Sequence, residues 1–131
     1  MILWGAYGAV GLGSALGATL RYLVSLALAG PSFPWATLAV NGLGAWLIVG
    51  FATYAARRPC GRIARWQPFL VGGFCGGFTT FSLFGLDTLA LVHQGHHAAA
   101  LGYVVASLGV WLGAAWAGYH GGQRLAVARH H

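Results

Sequence analysis

The hydrophobic positions of this chain fall into four long apolar stretches that are separated by short polar connections. The stretches cover about residues 4–29, 33–56, 67–93 and 98–121. A helix that crosses the hydrocarbon core of a bilayer needs about 20 consecutive apolar residues. Each stretch is long enough, so the pattern predicts an all-α membrane protein in which residues 1–131 form one domain of four transmembrane helices.

The third stretch contains a segment, Gly72 to Phe84, that does not fit a continuous helix. It reads GGFCGGFTTFSLF. Each glycine weakens a helix by about 1 kcal/mol relative to alanine, and threonine hydroxyls compete for helical carbonyls. Because the stretch centres on residue 80, the segment predicts a helix break at the middle of the membrane. Carbonyls freed between Gly76 and Thr79 must face protein, an ion or water, and they suit a hard cation.

Composition excludes a soluble domain. The chain is 58% hydrophobic and 6% charged, with a mean hydropathy of +0.70, whereas a soluble domain is about 25% charged. Seven basic side chains oppose one acid. No basic surface is interleaved with aromatic residues, so we expect no nucleic-acid partner. In a protein of the lipid bilayer, the excess of arginine indicates orientation instead.

Six of the arginines mark one side of the predicted membrane. Four lie in the connection 57–66, and Arg124 and Arg129 lie in the C-terminal tail. Arginine-rich connections remain in the cytoplasm, and an even number of helices places both termini on the same side. We therefore expect a multi-pass protein of the cell (inner) membrane whose termini and 57–66 loop are cytoplasmic.

The sequence does not predict an enzyme. Asp87 is the only carboxylate, which excludes paired acid–base catalysis. The two cysteines offer no disulfide framework, and the histidines near the segment ends lack a fourth partner for a zinc site. A proton-coupled exporter needs a carboxylate within the membrane, so Asp87 keeps that alternative open.

Several polar residues inside the apolar stretches have two interpretations. Arg21 either reaches to the membrane interface or places a cation at a pore mouth. Asn41, one turn after Thr37, either joins helices or lines a polar path. Tyr103 and Ser107, four residues apart, share one face of the fourth helix.

Phe81 and Phe84 follow the predicted break and lie three residues apart, on one helix face. The edges of aromatic rings are electropositive. The two rings therefore either pack in the ordinary way or stabilise a small dehydrated anion, helped by helix N-termini at the break. The combination of a central break, adjacent threonines and spaced phenylalanines favours the second interpretation.

The block GGFCGGFTTFSLF resembles the signature of the Fluc (CrcB) fluoride channels, which reads close to GGFTTFSTF. The stretches ATLAVNGLG at 36–44 and GATLRY at 17–22 resemble the motifs of the family's second and first helices. Tyr103 and Ser107 fit the start of the polar track on its fourth helix, so the similarity covers the whole chain. It implies an inverted dimer with two fluoride pores and a structural sodium ion on the two-fold axis.

The resemblance also implies roles for eight positions. Backbone carbonyls of Gly76 and Thr79 would hold the sodium ion, which is not transported. Five of the other six positions would line the fluoride pore, namely the ring edges of Phe81 and Phe84, the Asn41 amide, and the polar groups of Tyr103 and Ser107. Arg21 would lie at the vestibule.

Three positions depart from the family pattern. Leu83 replaces a threonine, Trp111 replaces a small polar residue, and Asp87 replaces a glutamate. The first hypothesis is a fluoride-specific passive channel. Leu83 and Trp111 would narrow or dry a pore, so the second hypothesis is a pore-poor subunit of a heterodimeric fluoride channel. The third is the proton-coupled exporter. The arginine bias also predicts one-way insertion and pairing with a homologous, oppositely charged subunit rather than an inverted homodimer, with Cys60 as a labelling position.

Overall fold

A computed structural model of the protein describes residues 2–30, 32–58 and 61–129. Its helices are α1 (Ile2–Ala27), α2 (Trp35–Arg57), α3 (Gly61–Gln67), the π-helix π1 (Pro68–Cys75), α4 (Gly76–Phe78), α5 (Phe81–His93) and α6 (His97–Ala128). Within these residues there is no strand. Cys60 lies outside the described residues.

In the described part of the chain, four helical segments are long and apolar enough to cross a membrane by length and composition. They are Leu3–Ala27, Trp35–Arg57, Gly61–His93 and His97–Ala128. The third segment combines α3, π1, α4 and α5. The prediction of an all-α protein with four long apolar helices is therefore confirmed.

Two predicted polar segments are helical, which corrects their expected conformation. Residues 61–66 belong to α3 rather than to a loop, and α6 continues past residue 121 to Ala128. Arginine and alanine are strong helix formers, and both residues occur in each segment. Arg58 also donates from Nε and Nη2 to the Ala126 carbonyl oxygen, at 3.2 and 3.0 Å. This contact holds the end of α2 against the last turns of α6.

Glycines allow close helix contacts at two places. A Cβ atom on Gly17 of α1 would overlap the carbonyl group of Phe74, and one on Gly118 of α6 would overlap the carbonyl group of Trp46. Small residues at such contacts let membrane helices approach closely in lipid. The bundle therefore consists of two tightly packed sets, α1 with π1 and α4, and α2 with α6, while α5 packs on α6.

The interior of the protein carries polar side chains, and its outer surface is apolar. Thr37, Asn41 and Ser107 are buried, whereas Leu12 and Trp116 are exposed. A soluble protein tends to show the opposite distribution. Lipid tails are as apolar as leucine, so they accommodate the exposed side chains without cost.

Candidate functional site

The site begins where the third transmembrane segment leaves the helical conformation. α4 ends at Phe78, and Thr79 and Thr80 have extended backbones with φ, ψ of −85°, 156° and −153°, 118°. The Cys75 carbonyl oxygen accepts two hydrogen bonds from Thr79. One comes from Thr79 Oγ1 at 2.8 Å, and the other comes from the Thr79 backbone N–H. Thr80 Oγ1 accepts from the Leu83 N–H at 3.2 Å and so caps α5. One threonine thus closes α4, and the other starts α5.

Asn41 of α2 holds the interruption in place. Its Nδ2 donates to the Thr80 carbonyl oxygen at 2.8 Å, and its Oδ1 accepts from the Thr80 N–H at 2.7 Å. These bonds replace the ones that the Thr80 backbone would make in a continuous helix, and buried backbone groups require such partners. The interhelical bond that was one interpretation of Asn41 is therefore observed.

The carbonyls before the interruption differ in their partners. Arg21 Nε donates to the Gly77 carbonyl oxygen at 3.1 Å. The Gly77 carbonyl, which lies between the two predicted cation ligands Gly76 and Thr79, is therefore already hydrogen-bonded. Among the hydrogen bonds of the described residues, none ends on the carbonyl oxygen of Gly76 or of Thr79. Gly76 is exposed and Thr79 is half-buried, so both lie at the surface of the protomer.

The two phenylalanines after the interruption are neighbours with different environments. Their ring centroids are 5.5 Å apart, yet Phe81 is 76% exposed and Phe84 is 8% exposed. Phe84 lies 5.2 Å from the ring of Tyr103 and 4.9 Å from that of Trp111. Phe81 therefore points out of the protomer, whereas Phe84 belongs to an aromatic cluster against α6.

Tyr103 and Ser107 are fully buried on one face of α6, where the sequence places them. The Tyr103 hydroxyl donates to Asp87 Oδ2 at 3.2 Å, and Thr37 Oγ1 donates to the same oxygen at 2.7 Å. The cluster Thr37–Asp87–Tyr103 therefore joins α2, α5 and α6. No local pattern in the sequence predicted this cluster. The signal for it was that Asp87 is the only acid of the chain, so a membrane segment must provide donors for it.

Leu83 and Trp111, the two departures from the family pattern, border different cavities. Leu83 lines a cavity of about 450 Å³ together with Asp87. Trp111 lines a groove of about 230 Å³ together with Asn41 and Phe81. Of the two, only Trp111 therefore borders the groove at the interruption.

Four long apolar helices around buried polar side chains define a multi-pass membrane protein. A family described as "CrcB-like protein, Camphor Resistance (CrcB)" matches residues 8–119, and the chain belongs to this family. The resemblance inferred from residues 72–84 is confirmed.

Similar curated proteins carry a functional name. "Fluoride-specific ion channel FluC" of Rhizobium meliloti (strain 1021) is 46% identical over 112 residues, which are 83% of this chain and 89% of the relative. "Fluoride-specific ion channel FluC 1" of Bradyrhizobium diazoefficiens is 46% identical over 117 residues, covering 86% of this chain and 81% of the relative. "Fluoride-specific ion channel FluC" of Paramagnetospirillum magneticum is 46% identical over 119 residues, which are 86% of this chain and 91% of the relative.

Proposed function

We propose that this chain is a subunit of a fluoride-specific passive channel that lowers cytoplasmic fluoride. The functional names of its relatives support this, and one structural observation carries it. The extended pair Thr79–Thr80, fixed by Asn41, leads directly into the first turn of α5 with Phe81 and Phe84. A helix that begins inside a transmembrane segment directs its positive end at that turn. The interruption lies near the middle of the candidate span Gly61–His93, which supports a position at mid-membrane.

In this proposal the anion passes neutral groups that replace its water. The ring edges of Phe81 and Phe84 supply positive potential, while Asn41 and Ser107 supply polar hydrogens. Tyr103 contributes its ring beside Phe84, because its hydroxyl hydrogen is donated to Asp87. Neutral donors suit a pore because an ion that is bound by a full opposite charge leaves slowly. A fluoride ion therefore enters and leaves this site without being trapped.

Arg21 has the position of a vestibule cation in this proposal. One of its N–H groups bonds to the Gly77 carbonyl oxygen, and a guanidinium has five. The remaining donors are left for an anion that approaches the interruption. The bond to Gly77 fixes the distance between this charge and the turn that carries the phenylalanines.

A structural sodium ion fits the free carbonyls. The carbonyl oxygens of Gly76 and Thr79 have no hydrogen-bond donor among the described residues, and oxygen ligands are what a hard cation prefers. An inverted dimer brings two copies of this pair together at a two-fold axis. The ion would neutralise four carbonyl dipoles that otherwise face one another.

The arginines favour a cytoplasmic location of both termini. The contact of Arg58 with Ala126 joins the end of α2 to the end of α6, so Arg57 and Arg124 lie at the same end of the bundle. Basic residues at one end set the orientation. This bias supports the second candidate, a subunit that inserts one way and pairs with a homologous, oppositely charged chain.

Fluoride efflux from liposomes tests these alternatives. With a potassium ionophore and no proton gradient, we expect fluoride release from vesicles that contain the purified chain. A requirement for a proton gradient indicates the exporter instead. Release only after addition of a homologous subunit indicates the heterodimer, and release that ceases without sodium supports the cation site.

The substitution Phe81→Ile checks the role of the exposed ring. We expect efflux to be abolished while the dimer remains, because this ring is 76% exposed in the protomer and contributes little to its folding. Efflux equal to that of the unmodified chain would contradict the proposed role of Phe81.

A further inference from the structure

Two buried polar groups on consecutive turns of α6 have no hydrogen-bond partner. They are the Ser107 hydroxyl and the Trp111 indole N–H, the two atoms of this kind among the described residues. Most buried polar atoms are hydrogen-bonded, and each exception requires an explanation. The indole nitrogen can only donate, so the missing partner of Trp111 must be an acceptor.

The surroundings of Trp111 suit a small anion. Its ring meets Phe84 edge to face, with centroids 4.9 Å apart and planes at 69°. It borders the groove of about 230 Å³ that is also lined by Asn41 and Phe81, and none of the described residues that line this groove is charged. The Asn41 amide uses one of its two N–H groups on Thr80, which leaves the other free.

The only carboxylate of the chain does not compete for this position. Asp87 accepts hydrogen bonds from Thr37 and Tyr103 and lines the other cavity, with Leu83. Because no acceptor among the described residues bonds to the indole N–H, a small acceptor from outside these residues can occupy this position beside the aromatic rings.

We propose that Trp111 is an anion ligand of this chain, whose indole N–H donates, together with the Ser107 hydroxyl, to a dehydrated fluoride ion beside Phe84. The proposal rests on the proposed channel function and deepens it. It reverses the sequence-based expectation that this tryptophan obstructs the pore, because a ring that only filled space would leave its buried N–H without an acceptor.

Indole nitrogen resonances test the contact directly. The chain has six tryptophans, so the ¹⁵N-labelled protein gives six indole signals, and Trp111→Phe removes one and thereby assigns it. Titration with sodium fluoride should shift that signal downfield, and sodium chloride at the same concentration should not. The signal of Trp116, which is 68% exposed five residues further along, is the control. An unchanged Trp111 signal in a protein that conducts fluoride overturns the proposal.

Fluoride efflux separates a donor from an obstruction. Loss of a hydrogen bond to an ion lowers efflux by about tenfold or more, so we expect that loss for Trp111→Phe. Trp111→Ser restores a donor and should retain more efflux than Trp111→Phe. Faster efflux in both variants shows that the ring obstructs, and equal efflux in all three proteins shows that it has no role; either result overturns the proposal.

The two proposals fail in different ways. If the unmodified chain carries no fluoride, alone or with a homologous subunit, the channel function fails and this inference fails with it. If the unmodified chain carries fluoride and Trp111→Phe carries it equally well, only the inference about Trp111 fails. The other five indole signals in Trp111→Phe confirm that the variant is folded.

Discussion

The two halves of the third transmembrane segment are held in the bundle by different interactions. Before Thr79, π1 and α4 pack on α1 through glycines whose backbones touch. From Thr80 onward, side-chain hydrogen bonds hold the second half. Asn41 of α2 bonds to the Thr80 backbone, and Asp87 of α5 accepts from Thr37 of α2 and Tyr103 of α6. The first half therefore tolerates little added volume where its glycines contact α1, and the second half depends on its polar partners.

This difference explains how one segment contains both a rigid anchor and a polar site. Backbone contacts at glycines fix the position of π1 and α4, and the bonds from Ser14 to Gly73 and from Arg21 to Gly77 add to them. The hydrogen bonds around α5 position the phenylalanines and leave donors near them. A helix held throughout by glycine contacts would have no site, and one held throughout by polar contacts would be costly in lipid.

The substitution Gly17→Ala breaks the first half and has the largest expected effect. The new Cβ atom would overlap the Phe74 carbonyl group, so α1 must move away from π1. We expect a loss of about 3 kcal/mol or more in the free energy of unfolding, measured as a loss of folded protein in detergent. Gly11→Ala is the control, because nothing lies within 4 Å of its added Cβ. A stable Gly17→Ala protein would show that the contact is loose.

The substitution Asn41→Ala breaks the second half. It removes the partners of the half-buried Thr80 N–H and carbonyl group, at about 1–3 kcal/mol for each group. We expect a loss of about 3 kcal/mol in the free energy of unfolding, and no fluoride efflux. Exposed Gln94 provides the control, since Gln94→Ala removes an amide that does not hold the interruption. Normal efflux by Asn41→Ala would contradict the role of Asn41.

The substitution Thr37→Val tests the Asp87 cluster and has a smaller expected effect. It removes one donor to Asp87, while the Tyr103 hydroxyl remains, so we expect a loss of about 1–1.5 kcal/mol in the free energy of unfolding. A double-mutant cycle with Tyr103→Phe should give a coupling of about 0.5 kcal/mol or more. Thr19→Val is the control, because Thr19 is exposed and bonds within its own helix. Additive losses would show that the two donors act independently.

The substitution Ser14→Ala sharpens the comparison and has the smallest expected effect. Ser14 Oγ donates to the Gly73 carbonyl oxygen at 3.3 Å, a long bond in a region that glycine contacts already hold. We expect a loss of about 0.5 kcal/mol in the free energy of unfolding, measured against Ser25→Ala, whose hydroxyl bonds within α1. A loss as large as that of Asn41→Ala would mean that the first half also depends on polar contacts.

The sequence by itself determined the class of protein, the four apolar segments and the family. These follow from composition and from local patterns, because a residue's preference for lipid does not depend on its neighbours in space. The helical residues 61–66 were predicted as a loop. Their helical conformation follows the preferences of arginine and alanine, which the charge pattern had obscured.

Only the tertiary structure decided how the polar residues are used. Asn41 and Thr80 are 39 residues apart, and Thr37 and Asp87 are 50 apart, so neither pair is visible as a local pattern. The bond of Arg21 to Gly77 likewise depends on which helices meet. So does the N–H of Trp111, which has no partner among the residues that the structure describes. A hydrogen bond requires two atoms within about 3 Å, and that distance is set by packing between helices rather than by the order of residues along one of them.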